Sequence, residues 1–321
     1  MEEEVNTTSS NLIVTWRSRR CVAPVVEVLQ SRPHLLDCLT MFPNGTKALH
    51  SPTTCKKLFV LFPGNPGIVN FYEQFVELLS LKDVDVLVMG YSGHSICDRN
   101  NGKVYGLRDQ IDNARDFFDS IQERALSYYG NDIYIGGHSI GAFIAAKILV
   151  VFPCIRRCFS LCGVLSRIQE TPNGRHMLFV GGNVIFYYVF VYLVVAVLVL
   201  LPRFVSSWFI RRQAPTLSPV LVSQFIEHYN TGALRNCFSM CREEFQVVRE
   251  PDQQFLGLVG KRMVFYCVQD DGWAPLSHVQ EAKKLCGDCA GFVVESDPSV
   301  IHAWCLSNNE TVIEKGILPF M

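Results

Sequence analysis

The stretch "IYIGGHSIGAF", Ile133 to Phe143, joins a strand-forming run to an almost wholly apolar helix former through Gly137-His138-Ser139-Ile140-Gly141. A glycine-x-serine-x-glycine pentad alone is weak evidence: at ordinary glycine and serine frequencies a chain this long contains one by accident about one time in ten. Its setting narrows the choice. A serine held on a sharp turn between a strand and a helix needs glycines around it, because neighbouring backbone passes where a Cβ would sit. The helix that follows also favours negative charge developing near its first turn. The pentad therefore predicts a strand-to-helix elbow with Ser139 at its tip.

The surrounding chain fits that elbow. From residue 57 onward, short apolar runs alternate with helix-period stretches. "KLFVLF" (57–62), "VDVLVMG" (84–90), "DIYIGG" (132–137), "CFSLCGVL" (158–165), "MVFYCVQ" (263–269) and "GFVVES" (291–296) read as buried strands. Residues 70–81 and 107–129 read as helices, with Phe71, Phe75, Leu78 and Leu79 on one face of the first. Such alternation predicts an α/β fold with a doubly wound, mostly parallel sheet. "LIVTW" (12–16) and "VVEVL" (25–29) are candidate edge strands. Residues 169–260 interrupt the alternation and read as an inserted cap, with the core formed by 1–168 and 261–321.

Composition permits this: 321 residues, 49 % hydrophobic and 12 % aromatic, can fill a large core, and disorder is not indicated. A net charge of -1 gives no electrostatic reason for a nucleic-acid partner. The 13 cysteines form no small-domain framework, and the first ten residues are polar with no apolar signal core. The expectation is an intracellular chain with reduced thiols and unused sequons at Asn6, Asn44 and Asn309. Cys286 and Cys289 form a lone CxxC without a second ligand pair, so no metal and no cofactor are expected.

A serine hydroxyl needs a base, and the base an acid to orient it. In the strand-ordered pattern, serine is followed by the acid and then by histidine. His302 lies in the loop after "GFVVES" and is the favoured base; His94, after the second strand, is the alternative and with Gly64 a candidate pocket residue. The loop after "MVFYCVQ" offers Asp270 and Asp271. Asp271, followed by Gly-Trp-Ala-Pro, is favoured over Asp270, and the bland alternative for either is a turn-forming aspartate. The developing negative oxygen needs two N–H donors. Ile140, next to the serine, and Asn65, in "PGNPG" (63–67), are the backbone candidates; a plain Gly-Pro turn is the alternative for the latter.

"PGNPG", "YGLRDQI" (105–111), "GHSIG" (137–141), "TPNGR" (171–175) and "DGWAP" (271–275) occur in that order, and with them the chain resembles the lipid droplet-associated hydrolase family, within the α/β-hydrolase superfamily. The resemblance spans roughly residues 57–305. It implies an α/β-hydrolase fold and a serine ester hydrolase with Ser139 as nucleophile, Asp271 as acid and His302 as base. It also implies location on lipid droplets and the cytoplasmic face of the endoplasmic reticulum, with sterol esters as substrate class. Gly272 departs from the bulky or proline residue the family often has after its acid. A binding protein with an idle triad and an acyltransferase using the same serine remain open beside the hydrolase.

Residues 177–201 carry no charge over 25 positions, long enough to be a membrane candidate. A single crossing would part Ser139 from Asp271 and His302, which must touch. Three readings remain: a dip into one leaflet, a cap helix with its apolar face on lipid, or burial beneath the cap. In the first two, residues 177–212 form a contact with a lipid monolayer or membrane surface. Tyr187, Tyr188, Tyr192 and Trp208 suit an interface, and Arg203, Arg211 and Arg212 suit anionic headgroups.

Overall fold

The computed structural model describes residues 25–31, 34–41, 57–94, 102–177, 184–213, 218–227 and 231–321. All six apolar runs become neighbouring parallel strands: β3 (Lys57–Phe62), β4 (Val84–Met89), β5 (Ile133–His138), β6 (Ile155–Leu161), β7 (Met263–Val268) and β8 (Gly291–Glu295). At one edge β1 (Val25–Ser31) and β2 (His34–Met41) form an antiparallel pair, and the eight-stranded order is β1-β2-β4-β3-β5-β6-β7-β8. The first candidate edge strand, residues 12–16, lies outside the described residues, while "VVEVL" opens β1.

The central strands β3, β4, β5 and β7 are buried almost end to end, as expected of parallel strands covered on both faces. One face packs on α2 (Leu107–Tyr129) and α3 (Ile140–Val151) through Phe117, Phe118, Ile144 and Leu149. The other packs on α1 (Glu73–Ser80) and the C-terminal segment through Phe75, Leu79, Trp304 and Ile313. Helix α2 has the bounds the sequence predicts, whereas α1 starts at Glu73 because residues 69–72 form a tighter 3-10 turn. Strand β6 runs earlier than expected. It ends at Leu161 because Cys162 adopts φ 48, which a strand cannot continue.

Between β6 and β7 lie α4 (Pro172–His176), α5 (Val184–Leu200), α6 (Arg203–Gln213), α7 (Pro219–Glu227), α8 (Thr231–Val247) and α9 (Gln253–Val259). Helix α9 packs against α3 and α10 (Leu276–Cys286). Helix α8 packs against α2 and carries α5.

Helix α5 is divided by its packing. Tyr187 and Val191, one turn apart, are buried, and the Arg242 guanidinium of α8 lies 5.0 Å from the Tyr187 ring centre. Ile185, Tyr188, Val189, Tyr192 and Leu193 recur at helical spacing on another face and are exposed, Ile185 by 71 % and Leu193 by 63 %. Two expectations change accordingly. The segment is not wholly buried beneath the other helices, and Tyr187 is a packing residue rather than an interface residue. Among the described residues no helix is long and apolar enough to cross a membrane. On α6, Phe204 and Trp208 are exposed as well, with Arg203, Arg211 and Arg212 also exposed.

Candidate active site

Ser139 stands where β5 ends and α3 begins. Its backbone, at φ 54 and ψ -124, occupies a region that residues with a Cβ seldom adopt. Three backbone hydrogen bonds fix it: Ser139 N–H donates to Leu161 C=O, while Ala142 and Val164 N–H donate to Ser139 C=O. The flanking glycines are required sterically. A Cβ on Gly137 would fall 2.1 Å from the Gly141 carbonyl, and one on Gly141 would fall 2.2 Å from the Phe62 carbonyl oxygen. The strain at Ser139 is thus held by close backbone approach that only glycine permits.

The loops after β7 and β8 converge on this serine. His302 Nε2 lies 3.0 Å from Ser139 Oγ, and His302 Nδ1 lies 2.7 Å from Asp271 Oδ2. The carboxylate can only accept, so Nδ1 carries the proton and Nε2 is left to accept from the serine hydroxyl. Asp271 is buried, and its Oδ1 accepts the N–H groups of Trp273 and Ala274, each at 2.8 Å. Burial pushes this carboxyl up, but the hydrogen bond and charge of His302, with the two N–H donors, hold it below the usual carboxylate range. Asp270 faces solvent. Of the two aspartates, the structure brings Asp271 to His302.

The loop after β3 closes over Ser139. A Cβ on Gly64 would lie 3.2 Å from Ser139 Cβ, and Gly64 N–H donates to the Tyr72 hydroxyl at 3.0 Å. Next along is Asn65, whose side-chain amide donates to Cys237 C=O and Glu244 Oε1, at 2.9 and 3.0 Å. Ile140 is the first residue of α3, where N–H groups have no intrahelical acceptor. His94, the alternative base, is bonded to the loop after β3 instead. Its Nδ1 donates to Pro66 C=O at 2.6 Å, and its ring meets Tyr91 edge-on, so it braces the loop. The Tyr91 hydroxyl donates to Pro63 C=O in the same loop.

Several residues here carry no signal in the sequence. His138 is inside the elbow and flanks the serine rather than facing it. It is buried between the Tyr72 hydroxyl, 2.7 Å from Nδ1, and the His302 carbonyl oxygen, 2.8 Å from Nε2. Burial, then the neighbouring His302, lower it from the usual 6.5 to about 3, so it is neutral. Glu244 and Cys237 come from α8, more than 170 residues from Asn65 in sequence. Nothing in a single chain's pattern couples positions so far apart. Two of the segments quoted in the sequence meet in space, since Asn173 N–H donates to Gly272 C=O at 2.9 Å, and a third is tied to α8, since Tyr105 N–H donates to the buried Asn236 side chain at 2.6 Å. Asn173 also sits where a larger residue at 272 would place its Cβ, 2.7 Å away, which gives Gly272 a local reason.

Among the described residues, no group of three or more His, Cys, Asp or Glu converges to hold a metal ion, and Cys286 and Cys289 are free thiols. Cys286 is buried, and desolvation pushes its thiol up to about 12. Asn309 is buried, its side chain donating to Gln74 and to the Cys305 carbonyl, so it is no glycan acceptor in this fold.

A family model described as lipid-droplet associated hydrolase matches residues 55–305. Curated proteins called lipid droplet-associated hydrolase are similar over most of their length. That of Drosophila melanogaster is 26 % identical over 250 residues, 72 % of this chain and 78 % of its own. That of Dictyostelium discoideum is 24 % identical over 285 residues, 82 % of this chain and 86 % of its own. Among solved structures, a membrane phospholipase A described as a bacterial virulence factor superposes with TM-score 0.63 at 10 % identity, over 91 % of this chain and 84 % of that one. A putative lipase from Acinetobacter baumannii gives TM-score 0.61 at 14 % identity, over 91 % of this chain and 89 % of that one. With the strand order described above, these give the fold as α/β-hydrolase.

Proposed function

The chain belongs to the lipid-droplet associated hydrolase family, and on that premise we propose that it is a serine ester hydrolase acting on neutral lipid esters, sterol esters first among them, at the lipid droplet surface. The observation that supports this most is the contact series Ser139 Oγ, His302 Nε2 and Nδ1, Asp271 Oδ2, at 3.0 and 2.7 Å, around a backbone-strained serine. A chance serine between two glycines has no reason to carry both contacts.

In this reading His302 Nε2 takes the proton of Ser139 as Oγ attacks the acyl carbonyl. The backbone N–H groups of Ile140 and Asn65 hold the resulting oxyanion. Asp271 keeps the imidazole in the tautomer that accepts at Nε2 and stabilises the imidazolium. The alcohol leaves with the proton from His302, and water, activated by the same imidazole, releases the fatty acid from Ser139.

Residues 169–260 act as a cap, and the exposed apolar face of α5 with Phe204 and Trp208 of α6 rests on the lipid. A helix lying flat on a monolayer keeps Ser139, Asp271 and His302 on one side, which a single crossing would not. The relatives carry droplet association in their names, and their likeness supports the same location here. The endoplasmic reticulum, on its cytoplasmic face, is the second site of this reading.

The test is turnover of a sterol ester emulsified with phospholipid, using full-length protein. Ser139→Ala is expected to lower turnover about 10⁴-fold or more. Equal turnover by this variant overturns the reading. Transfer of the acyl group to an added alcohol in preference to water reassigns the same serine to an acyltransferase.

A further inference from the structure

Glu244 poses a physical problem. It is only 5 % exposed, and among the described residues no lysine or arginine pairs with it. Burying a carboxyl without a countercharge is costly, and a fold keeps one where it serves a purpose. The groups around it are polar or weakly acidic: Asn65 by hydrogen bond, and Tyr91, Cys237 and Cys241 in its field. Desolvation raises it from 4.5 to about 7, with the Asn65 hydrogen bond opposing.

What it touches gives the purpose. Both amide protons of Asn65 are taken by α8, one by Cys237 C=O and one by Glu244 Oε1. The rest of the loop is tied to the sheet side. Gly64 N–H bonds the Tyr72 hydroxyl, Pro63 C=O accepts from Tyr91, and Pro66 C=O accepts from His94. Gly67 N–H closes the turn onto Gly64 C=O at 2.6 Å. The residue whose backbone N–H is needed at the oxyanion is thus the one whose side chain is clamped from the inserted helices. A side chain fixed at two points fixes the plane of its own peptide more closely than loop packing does.

We propose that Glu244 is a positioning residue: from α8 it holds the Asn65 side chain, and so aims the Asn65 backbone N–H at the oxyanion above Ser139. This rests on the serine hydrolase reading. The effect belongs to the chemical step, since the donor is needed when the carbonyl oxygen gains charge and not when the ester binds. Helix α8 therefore contributes to turnover as well as packing on α2.

The test uses full-length Glu244→Leu, Glu244→Gln, Asn65→Ala and the double variant Glu244→Leu/Asn65→Ala. Two rates are read: hydrolysis of a water-soluble short-chain ester, and covalent modification of Ser139 by a fluorophosphonate. Glu244→Leu and Asn65→Ala are each expected to lower kcat about 10- to 100-fold, less than outright loss of an oxyanion donor, with KM within about threefold of wild type. The double variant is expected to be no slower than the slower single one, because Glu244 acts through Asn65. Glu244→Gln, whose Oε1 still accepts from Asn65, recovers most of the loss.

A merely structural Glu244 gives losses that multiply in the double variant and no rescue by glutamine; either result overturns the proposal. So does a kcat for Glu244→Leu within about twofold of wild type. If Glu244→Leu does not fold, Asn65→Ala decides alone, and an unchanged kcat there overturns it. Wild type unlabelled at Ser139 removes the hydrolase reading and this inference with it; labelled wild type with unaffected variants removes this inference alone.

Discussion

His138 Nε2 donates to the backbone carbonyl of His302 across 2.8 Å, while its Nδ1 accepts from the Tyr72 hydroxyl at 2.7 Å. Tyr72 in turn accepts from Gly64 N–H. One neutral imidazole thus ties the segment carrying His302 to the loop lying over Ser139. Replacing His138 by leucine takes the acceptor from the Tyr72 hydroxyl proton and the donor from the His302 carbonyl, at about 1–3 kcal/mol each. The expected result is a lower thermal midpoint and a kcat reduced about 10- to 100-fold through a displaced His302. Because His138 is held near 3 instead of 6.5, its contribution to stability is fully present above pH 6.5 and fades as pH falls toward 3. The gap between wild type and His138→Leu in urea unfolding should narrow on acidification; a constant gap contradicts a neutral His138.

In the proposed reading Asp271 is the acid: its Oδ2 faces His302 Nδ1 and its Oδ1 is anchored by Trp273 and Ala274. Asp271→Asn presents an amide that can favour the wrong imidazole tautomer. Steady-state assays should give a kcat lower by about 10³–10⁴-fold, with little change in fold. Asp270→Asn, at the exposed neighbour, should stay within about twofold in the same assay. The reverse ranking would reassign the acid.

Glu244 gives a stability signature of opposite sign to that of His138. Its carboxyl titrates near 4.5 when unfolded and near 7 when buried. Its contribution is fully present below pH 4.5 and is lost as pH rises through 7, a loss of about 3 kcal/mol by linkage. Glu244→Gln removes that dependence. Urea denaturation should find the variant more stable than wild type at pH 8 and the difference much reduced at pH 5. Parallel pH profiles would contradict the burial of an uncompensated carboxyl.

The exposed face of α5 predicts lipid contact by area and not by sequence motif. Replacing Ile185, Val189 and Leu193 together by serine removes three exposed aliphatic side chains. Each contributes roughly 1.5–3 kcal/mol when fully transferred from water. Flotation with phosphatidylcholine-covered triacylglycerol droplets should fall at least about tenfold for the folded variant. Unchanged flotation would move the lipid contact elsewhere.

Much of the fold is legible in the chain because parallel strands buried on both faces read as continuous apolar runs, and six such runs became β3 to β8. The elbow was equally legible, since the close approaches at Gly137 and Gly141 leave glycine as a visible mark. Asp271 and His302 follow strand ends in chain order, so their meeting at Ser139 could be expected as well. Tyr72, His138 and Glu244 act by hydrogen bonds to residues far away in sequence, and each has an ordinary alternative as a packing, elbow or surface residue. The divided character of α5 was hidden for another reason: both its buried Tyr187 and its exposed Tyr188 are apolar enough that hydropathy cannot tell the faces apart.

The central claim is that the Ser139 hydroxyl is activated by His302. Incubating the folded protein with a fluorophosphonate and mapping the adduct by peptide mass spectrometry tests it directly. A phosphonyl adduct is expected on Ser139, abolished by Ser139→Ala and strongly slowed by His302→Ala. Wild-type protein that stays unmodified, or is modified at another serine with Ser139 intact, contradicts it.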